Sequence, residues 1–78
     1  MAAVLYLVYI LENTPNQCIR YAFYCKAVLP SEAKARMERQ WRADGKYGTP
    51  QDMYLTRSWI TGVPLNQFIT VKSWRKGI

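Results

Sequence analysis

Only one segment of the chain, Ser31 to Gly45, has a helical pattern, and strand-like segments lie on both sides of it. Within it, Ala33, Met37 and Trp41 recur every four residues, so they fall within one narrow arc of a helix. A single helix must bury such an arc against another layer, and here a small sheet is the layer available. The chain is therefore predicted to be an α+β protein.

The ends of this helix are also marked in the sequence. Ser31 is expected to be the N-cap, and Glu32 in the first turn complements the helix dipole. The helix is expected to end at Ala43 or Asp44, with Gly45 terminating it.

The strand predictions complete the fold. Dense aliphatic or alternating patterns predict strands over four segments, Val4 to Leu11, Cys18 to Val28, Met53 to Ile60 and Gln67 to Trp74. The predicted order is ββαββ, with one helix packed on a four-stranded antiparallel sheet in a single domain, residues 1–78. The sheet face away from the helix is expected to be open to water or to a partner.

Charge limits the class of partner. The chain has 78 residues and a formal net charge of +6, and it has no acidic residue after Asp52. A domain this basic is attracted to phosphate backbones, acidic proteins and anionic membranes alike. Half of the residues are apolar, and small apolar chains often hide a remaining patch in an interface, so a dimer is one alternative.

The residues of common catalytic and metal sites are scarce. The sequence has no histidine, no phosphate-binding glycine loop and no evident pair of carboxylates. Ser31 is interpreted as a helix cap rather than as a nucleophile. We therefore expect neither an enzyme nor a cofactor or metal ion.

The cysteines and the first strand bear on location. Cys18 and Cys25 are seven residues apart, so on one strand they lie on opposite faces and cannot form a disulfide with each other. Free thiols suit the cytoplasm, although an intermolecular disulfide in a secreted dimer is an alternative. The apolar start of the chain is too short to span a membrane and lacks signal-peptide features, so we interpret it as a buried strand.

The first candidate binding surface is the outer side of the helix. Arg36, Arg39 and Arg42 lie opposite the apolar arc. The alternative is a solvated face, because Glu32 precedes Arg36 by four residues and Glu38 precedes Arg42 by four, which favours ion pairs. Arg39 has no acidic neighbour three or four residues away, so it is the strongest candidate for a partner contact.

Two further surfaces are candidates, one at the chain end and one on the sheet. They comprise Lys72, Trp74, Arg75 and Lys76, and the second-strand cations Arg20 and Lys26 beside Tyr24. Basic residues beside an aromatic ring can hold phosphates and stack a base. The alternatives are that Trp74 closes the edge of the core and that the strand cations protect an edge from aggregation. Arg57 is added because guanidinium groups bind phosphate or carboxylate well.

A family resemblance rests on "SEAKAR" at residues 31–36 and "KSW" at residues 72–74, together with the order of the elements. In these features the chain resembles small phage-encoded type I anti-CRISPR proteins with one helix on an antiparallel sheet. The resemblance implies a non-catalytic inhibitor in the cytoplasm of a bacterial host. Such a protein binds the multisubunit crRNA-guided complex, Cascade, and obstructs its hybridisation with target DNA. It also implies non-specific contact with DNA, and it assigns no contact residue.

The sequence thus predicts an inhibitor of a nucleoprotein complex. One alternative is a freestanding small basic nucleic-acid-binding protein of phage or mobile-element origin. Another is a small structural subunit of a larger assembly, held there by an apolar sheet face.

Overall fold

A computed structural model describes residues 2–77 as one helix on a four-stranded antiparallel sheet. The elements are β1 (Val4–Asn13), β2 (Gln17–Ala27), α1 (Pro30–Ala43), β3 (Gln51–Arg57) and β4 (Phe68–Arg75). The strand order across the sheet is β3-β1-β2-β4. The predicted fold class and the ββαββ order are confirmed.

The hairpin of β1 and β2 forms the centre of the sheet. Its register runs from Val4 opposite Ala27 to Asn13 opposite Cys18. In the turn, the Thr14 hydroxyl donates to the Gln17 carbonyl oxygen at 2.9 Å. Because β3 and β4 each pair with only one neighbour, they are the edges of the sheet.

The two ends of α1 differ in how well the sequence predicted them. The N-cap is Leu29 rather than Ser31, because Pro30 has a φ suited to the first helical turn and draws the start forward. Gly45 terminates the helix as predicted, with φ 68°. Its N–H bonds to the Arg42 carbonyl oxygen and that of Lys46 to the Trp41 carbonyl oxygen, which is the Schellman arrangement.

The main core lies between α1 and the sheet. Ala33, Met37 and Trp41 are buried there, as predicted, beside β1 and β2 residues such as Val8 and Phe23. Aromatic rings of Tyr21, Trp41 and Phe68 meet edge to face, with Trp41 and Phe68 centroids 5.6 Å apart.

The opposite face of the sheet is not open along its whole length, so this prediction was wrong in part. Leu7, Ala22 and Tyr24 are buried there, and Val63 from the β3–β4 loop packs on them. Backbone hydrogen bonds tie the loop to both central strands, one of them from the Asn66 N–H to the Tyr24 carbonyl oxygen at 2.7 Å. The third strand was predicted to run to Ile60, but β3 ends at Arg57. Residues 58–60 belong to this loop instead.

The two cysteines lie as expected. Cys25 is buried in the main core, while Cys18 is part-buried on the opposite side of β2, and both are free thiols. No helix within residues 2–77 is long and apolar enough to cross a bilayer.

Candidate functional site

The outer side of α1 carries three exposed guanidinium groups, those of Arg36, Arg39 and Arg42. Within residues 2–77, no carboxylate oxygen lies within 4.0 Å of any of them. The ion pairs that the alternative required, Glu32 with Arg36 and Glu38 with Arg42, are therefore not formed there. The Glu32 carboxylate instead accepts a hydrogen bond of 3.4 Å from the Val28 N–H, near the start of the helix.

A groove runs along one side of this helix. Its volume is about 360 Å³, and its lining residues are Phe23, Arg36, Arg39, Gln40, Ala43 and Asn66. The helical residues lie three or four positions apart, so they share one stripe of α1. Asn66 comes from the end of the β3–β4 loop and adopts φ 59°, a left-handed conformation that asparagine tolerates well. The groove therefore lies between the helix and the start of β4.

Arg20 differs from the helical arginines. Its guanidinium lies 3.6 Å from the Asp52 carboxylate and donates a hydrogen bond of 3.3 Å to the Asp52 carbonyl oxygen. Asp52 is positioned by an irregularity in the β1–β3 pairing, where its φ is 50°. Because the chain itself neutralises Arg20, this residue is a weaker candidate for a partner contact than Arg39.

The basic and aromatic surface predicted on the second sheet face is not continuous. Tyr24 is buried beneath the loop and cannot stack on a ligand. Lys26 and Arg20 are six positions apart on β2, which corresponds to about 20 Å along a strand. Lys26 is beside the loop, whereas Arg20 pairs in register with Lys72. The cations of this face thus form two separate groups.

Two cations lie over exposed tryptophan rings. The Arg57 guanidinium is 4.5 Å from the centroid of the Trp59 ring, and Lys72 Nζ is 5.6 Å from that of Trp74. Trp59 is 77% exposed and Trp74 is 40% exposed. Trp74 belongs to neither apolar cluster, so the alternative that it closes the core is not supported.

The last two predicted site residues lie near the β1–β2 turn. Arg75 and Lys76 border a depression of about 510 Å³ together with Asn16 and Gln17. The Lys76 N–H donates to the Asn16 carbonyl oxygen at 3.0 Å, which fixes the backbone there. The predicted site residues are therefore spread over several surfaces, and three of them, the arginines of α1, share one exposed side of a single element.

The core contains a buried polar group that was not predicted from the sequence. Glu12 is 6% exposed, and its carboxylate accepts hydrogen bonds from the Tyr21 hydroxyl at 2.8 Å and from the Tyr47 N–H. Burial, and then the bond and charge of Glu12, raise the pKa of Tyr21 to about 12. Lys46 Nζ lies 4.3 Å from the centroid of the Tyr21 ring. The alternating pattern of β1 could have predicted its burial, because Glu12 falls on the same face of the strand as the buried residues Val8 and Ile10.

This buried group anchors the loop after α1. The Glu12 carboxylate accepts a hydrogen bond from the Tyr47 N–H, and the Trp41 indole N–H donates to the Gly48 carbonyl oxygen at 2.9 Å.

No group of three or more histidine, cysteine or acidic residues within residues 2–77 could hold a metal ion. Burial also raises the pKa of the Cys25 thiol, although the charge of Arg36 opposes this effect. At neutral pH the thiol is therefore protonated and a poor nucleophile.

No protein-family model, curated protein or solved structure matches the chain.

Proposed function

We propose that this protein is a non-catalytic inhibitor that binds a crRNA-guided surveillance complex, type I Cascade, and blocks hybridisation with target DNA. The binding surface is the outer side of α1, and the setting is the cytoplasm of a bacterial host. The observation that carries the proposal is the group of three exposed guanidiniums, Arg36, Arg39 and Arg42, with no carboxylate within 4.0 Å in the described part of the chain.

Guanidinium chemistry supports this assignment. Each guanidinium can form two parallel hydrogen bonds to a phosphate or a carboxylate, which gives both affinity and orientation. A guide RNA held in a protein groove offers phosphates and neighbouring acidic side chains. Since exchange of a DNA duplex for an RNA–DNA hybrid is nearly balanced energetically, occupying part of the guide is sufficient to prevent it. Inhibition by this route requires no bond to be made or broken.

The test is affinity purification of the tagged protein from bacteria that express a type I system, with identification of the proteins and RNA that co-purify. A gel-shift assay of target DNA hybridisation by the purified complex then measures inhibition. We expect the Cascade subunits and guide RNA to co-purify and hybridisation to be lost. Recovery of the tagged protein without these components, with hybridisation intact, contradicts the proposal.

Two matched variants locate the surface. Arg39→Glu and Lys26→Glu make the same change of charge at exposed positions, one on α1 and the other on the opposite side of the sheet. We expect Arg39→Glu to abolish co-purification and Lys26→Glu to preserve it. The reverse result assigns the interface to the second sheet face.

A freestanding nucleic-acid-binding protein is the second candidate function. It is favoured by Lys72 beside Trp74 and Arg57 beside Trp59, since exposed rings beside cations can stack bases and hold phosphates. This function predicts that the isolated protein binds single-stranded oligonucleotides with a steep dependence on salt concentration, and that Trp74→Ala weakens binding. Tight binding of free oligonucleotides by the protein alone favours this function over the inhibitor.

A further inference from the structure

The groove beside α1 brings cationic and polar residues from two separate parts of the chain to one place. Arg36 and Arg39 line it from the helix, and Asn66 lines it from the loop that leads into β4. The Asn66 backbone is fixed by its hydrogen bond to the Tyr24 carbonyl oxygen at 2.7 Å. The buried ring of Phe23 contributes to the lining. Both walls are therefore attached to the rigid sheet and helix.

The donors of this groove are largely uncommitted. In the part of the chain that the structure describes, the side chains of Arg36, Arg39 and Asn66 form no hydrogen bond, and neither arginine forms an ion pair. Gln40 is different, because its amide donates to the Asp44 carboxylate at 2.7 Å. The groove thus has two guanidiniums and one carboxamide available to a ligand.

The chemistry of these donors favours a phosphate group over a carboxylate. A carboxylate presents its two oxygens in one plane. A phosphate group presents oxygens in several directions, which suits donors that approach from both the helix and the loop. The volume of about 360 Å³ is sufficient for one phosphate with its attached sugar.

We propose that the groove between α1 and the β3–β4 loop binds a single phosphate group of a nucleic-acid strand through Arg36, Arg39 and Asn66. This inference rests on the proposed function, because it assigns to two of the three helical arginines one defined ligand group within the partner. Arg42 lies outside the groove, near Glu38 and Gly48, and is not part of the site.

The experiment is a titration of the isotope-labelled protein, followed by nuclear magnetic resonance of its backbone and its arginine and asparagine side chains. The probes are inorganic phosphate, a short oligothymidylate with hydroxyl ends, and the same oligonucleotide with a 5′-phosphate. The first probe tests phosphate alone. The other two distinguish an internal phosphodiester from a terminal phosphate, and both are measured at several salt concentrations.

We expect saturable shifts confined to the groove residues, for inorganic phosphate and for at least one of the oligonucleotides. A stronger response to the 5′-phosphorylated strand identifies a terminal phosphate as the ligand, and equal responses identify the internal phosphodiester. Chemical-shift changes of equal size near all exposed cations of the protein overturn the proposal. So does a titration in which no chemical-shift change saturates.

Three variants separate a built site from general attraction. Arg36→Gln and Arg42→Gln each remove one charge from the same helix, but only the first changes the groove. We expect Arg36→Gln to reduce phosphate affinity about tenfold or more and Arg42→Gln to leave it within about twofold. Asn66→Gly removes the carboxamide at a backbone conformation that glycine adopts readily, and it should also reduce affinity. Equal losses in the two arginine variants overturn the site.

The results also separate this inference from the proposed function. Local phosphate binding without co-purification of Cascade supports the phosphate site in the groove and contradicts the proposed inhibitor function. Loss of co-purification in Arg39→Glu, without any local phosphate binding by the native protein, supports the inhibitor function and contradicts the phosphate site in the groove.

Discussion

The two faces of the sheet are buried in different ways. On one face, α1 covers a large cluster that includes Phe23, Met37 and Trp41, each at most 2% exposed. The loop after α1 is bound there to the buried Glu12 carboxylate, which also accepts from the Tyr21 hydroxyl. On the other face, a loop contributes Val63 to a cluster with only three buried members. The comparison indicates that stability comes mainly from the helix-covered face, whereas the loop-covered face adds a smaller share.

The largest difference between the faces is expected from Trp41→Ala. This change removes a buried indole and its hydrogen bond to Gly48, so it should reduce the free energy of unfolding by about 3–5 kcal/mol. For a chain of this size, that loss is comparable to the whole stability. Urea denaturation followed by circular dichroism measures it. The milder Trp41→Phe should remain folded, and a loss below about 1 kcal/mol in both variants contradicts the importance assigned to this face.

A pH-dependent effect should come from Tyr21, on the same face. Its folded pKa, about 12, lies above the ordinary value of 10.0, so the folded state keeps this proton after the unfolded state has lost it. The stabilising contribution is therefore fully present below pH 10 and is lost as the pH rises through about 12. A pKa difference of this size between the folded and unfolded states corresponds to at most about 2.7 kcal/mol of stability.

The measurement compares unfolding free energies of the native chain and Tyr21→Phe between pH 9 and pH 12. Other tyrosines titrate in both proteins, so the difference between the two curves isolates Tyr21. Parallel curves rule out a raised pKa of Tyr21 in the folded state.

A smaller effect is expected from Val63→Ala on the loop-covered face. Val63 is only partly buried, and the change removes two methyl groups, so it should reduce the free energy of unfolding by about 1 kcal/mol. Faster amide exchange at Ser58 and Asn66, whose N–H groups tie the loop to the sheet, should accompany it. A loss as large as that of Trp41→Ala removes the distinction between the two faces.

The same contrast explains what the sequence could predict. The apolar arc of α1 and the alternation along β2 depend on local period, and both were predicted correctly. The loop cover of the second face was not, since Val63 reaches Leu7 and Tyr24 only through long-range folding. The start of α1 was also missed, because Ser31 and the neighbouring Pro30 favour different first residues and proline prevailed.

The candidate site was less accessible to sequence reasoning than the fold. The exposure of Arg39 followed from helical position alone. The pairing of Arg20 with Asp52 joins two strands that are not neighbours in the sheet, so no local pattern contained it. Asn66 was missed for the same reason, since its position across the groove from α1 depends on the path of the β3–β4 loop.

The smallest effect on stability is expected from Arg39→Glu, on the outer side of the helix whose inner side forms the main core. Arg39 is exposed and has no ion pair among residues 2–77, so the free energy of unfolding should change by less than about 0.5 kcal/mol. The matched change Arg42→Glu, at another exposed position of α1, should behave alike. Thermal unfolding of both variants checks this.

A loss above about 1 kcal/mol in Arg39→Glu alone means that this arginine supports the fold. A binding defect in the variant then no longer identifies a contact surface. Unchanged stability with lost binding separates the two sides of one helix, the inner side for folding and the outer side for the partner.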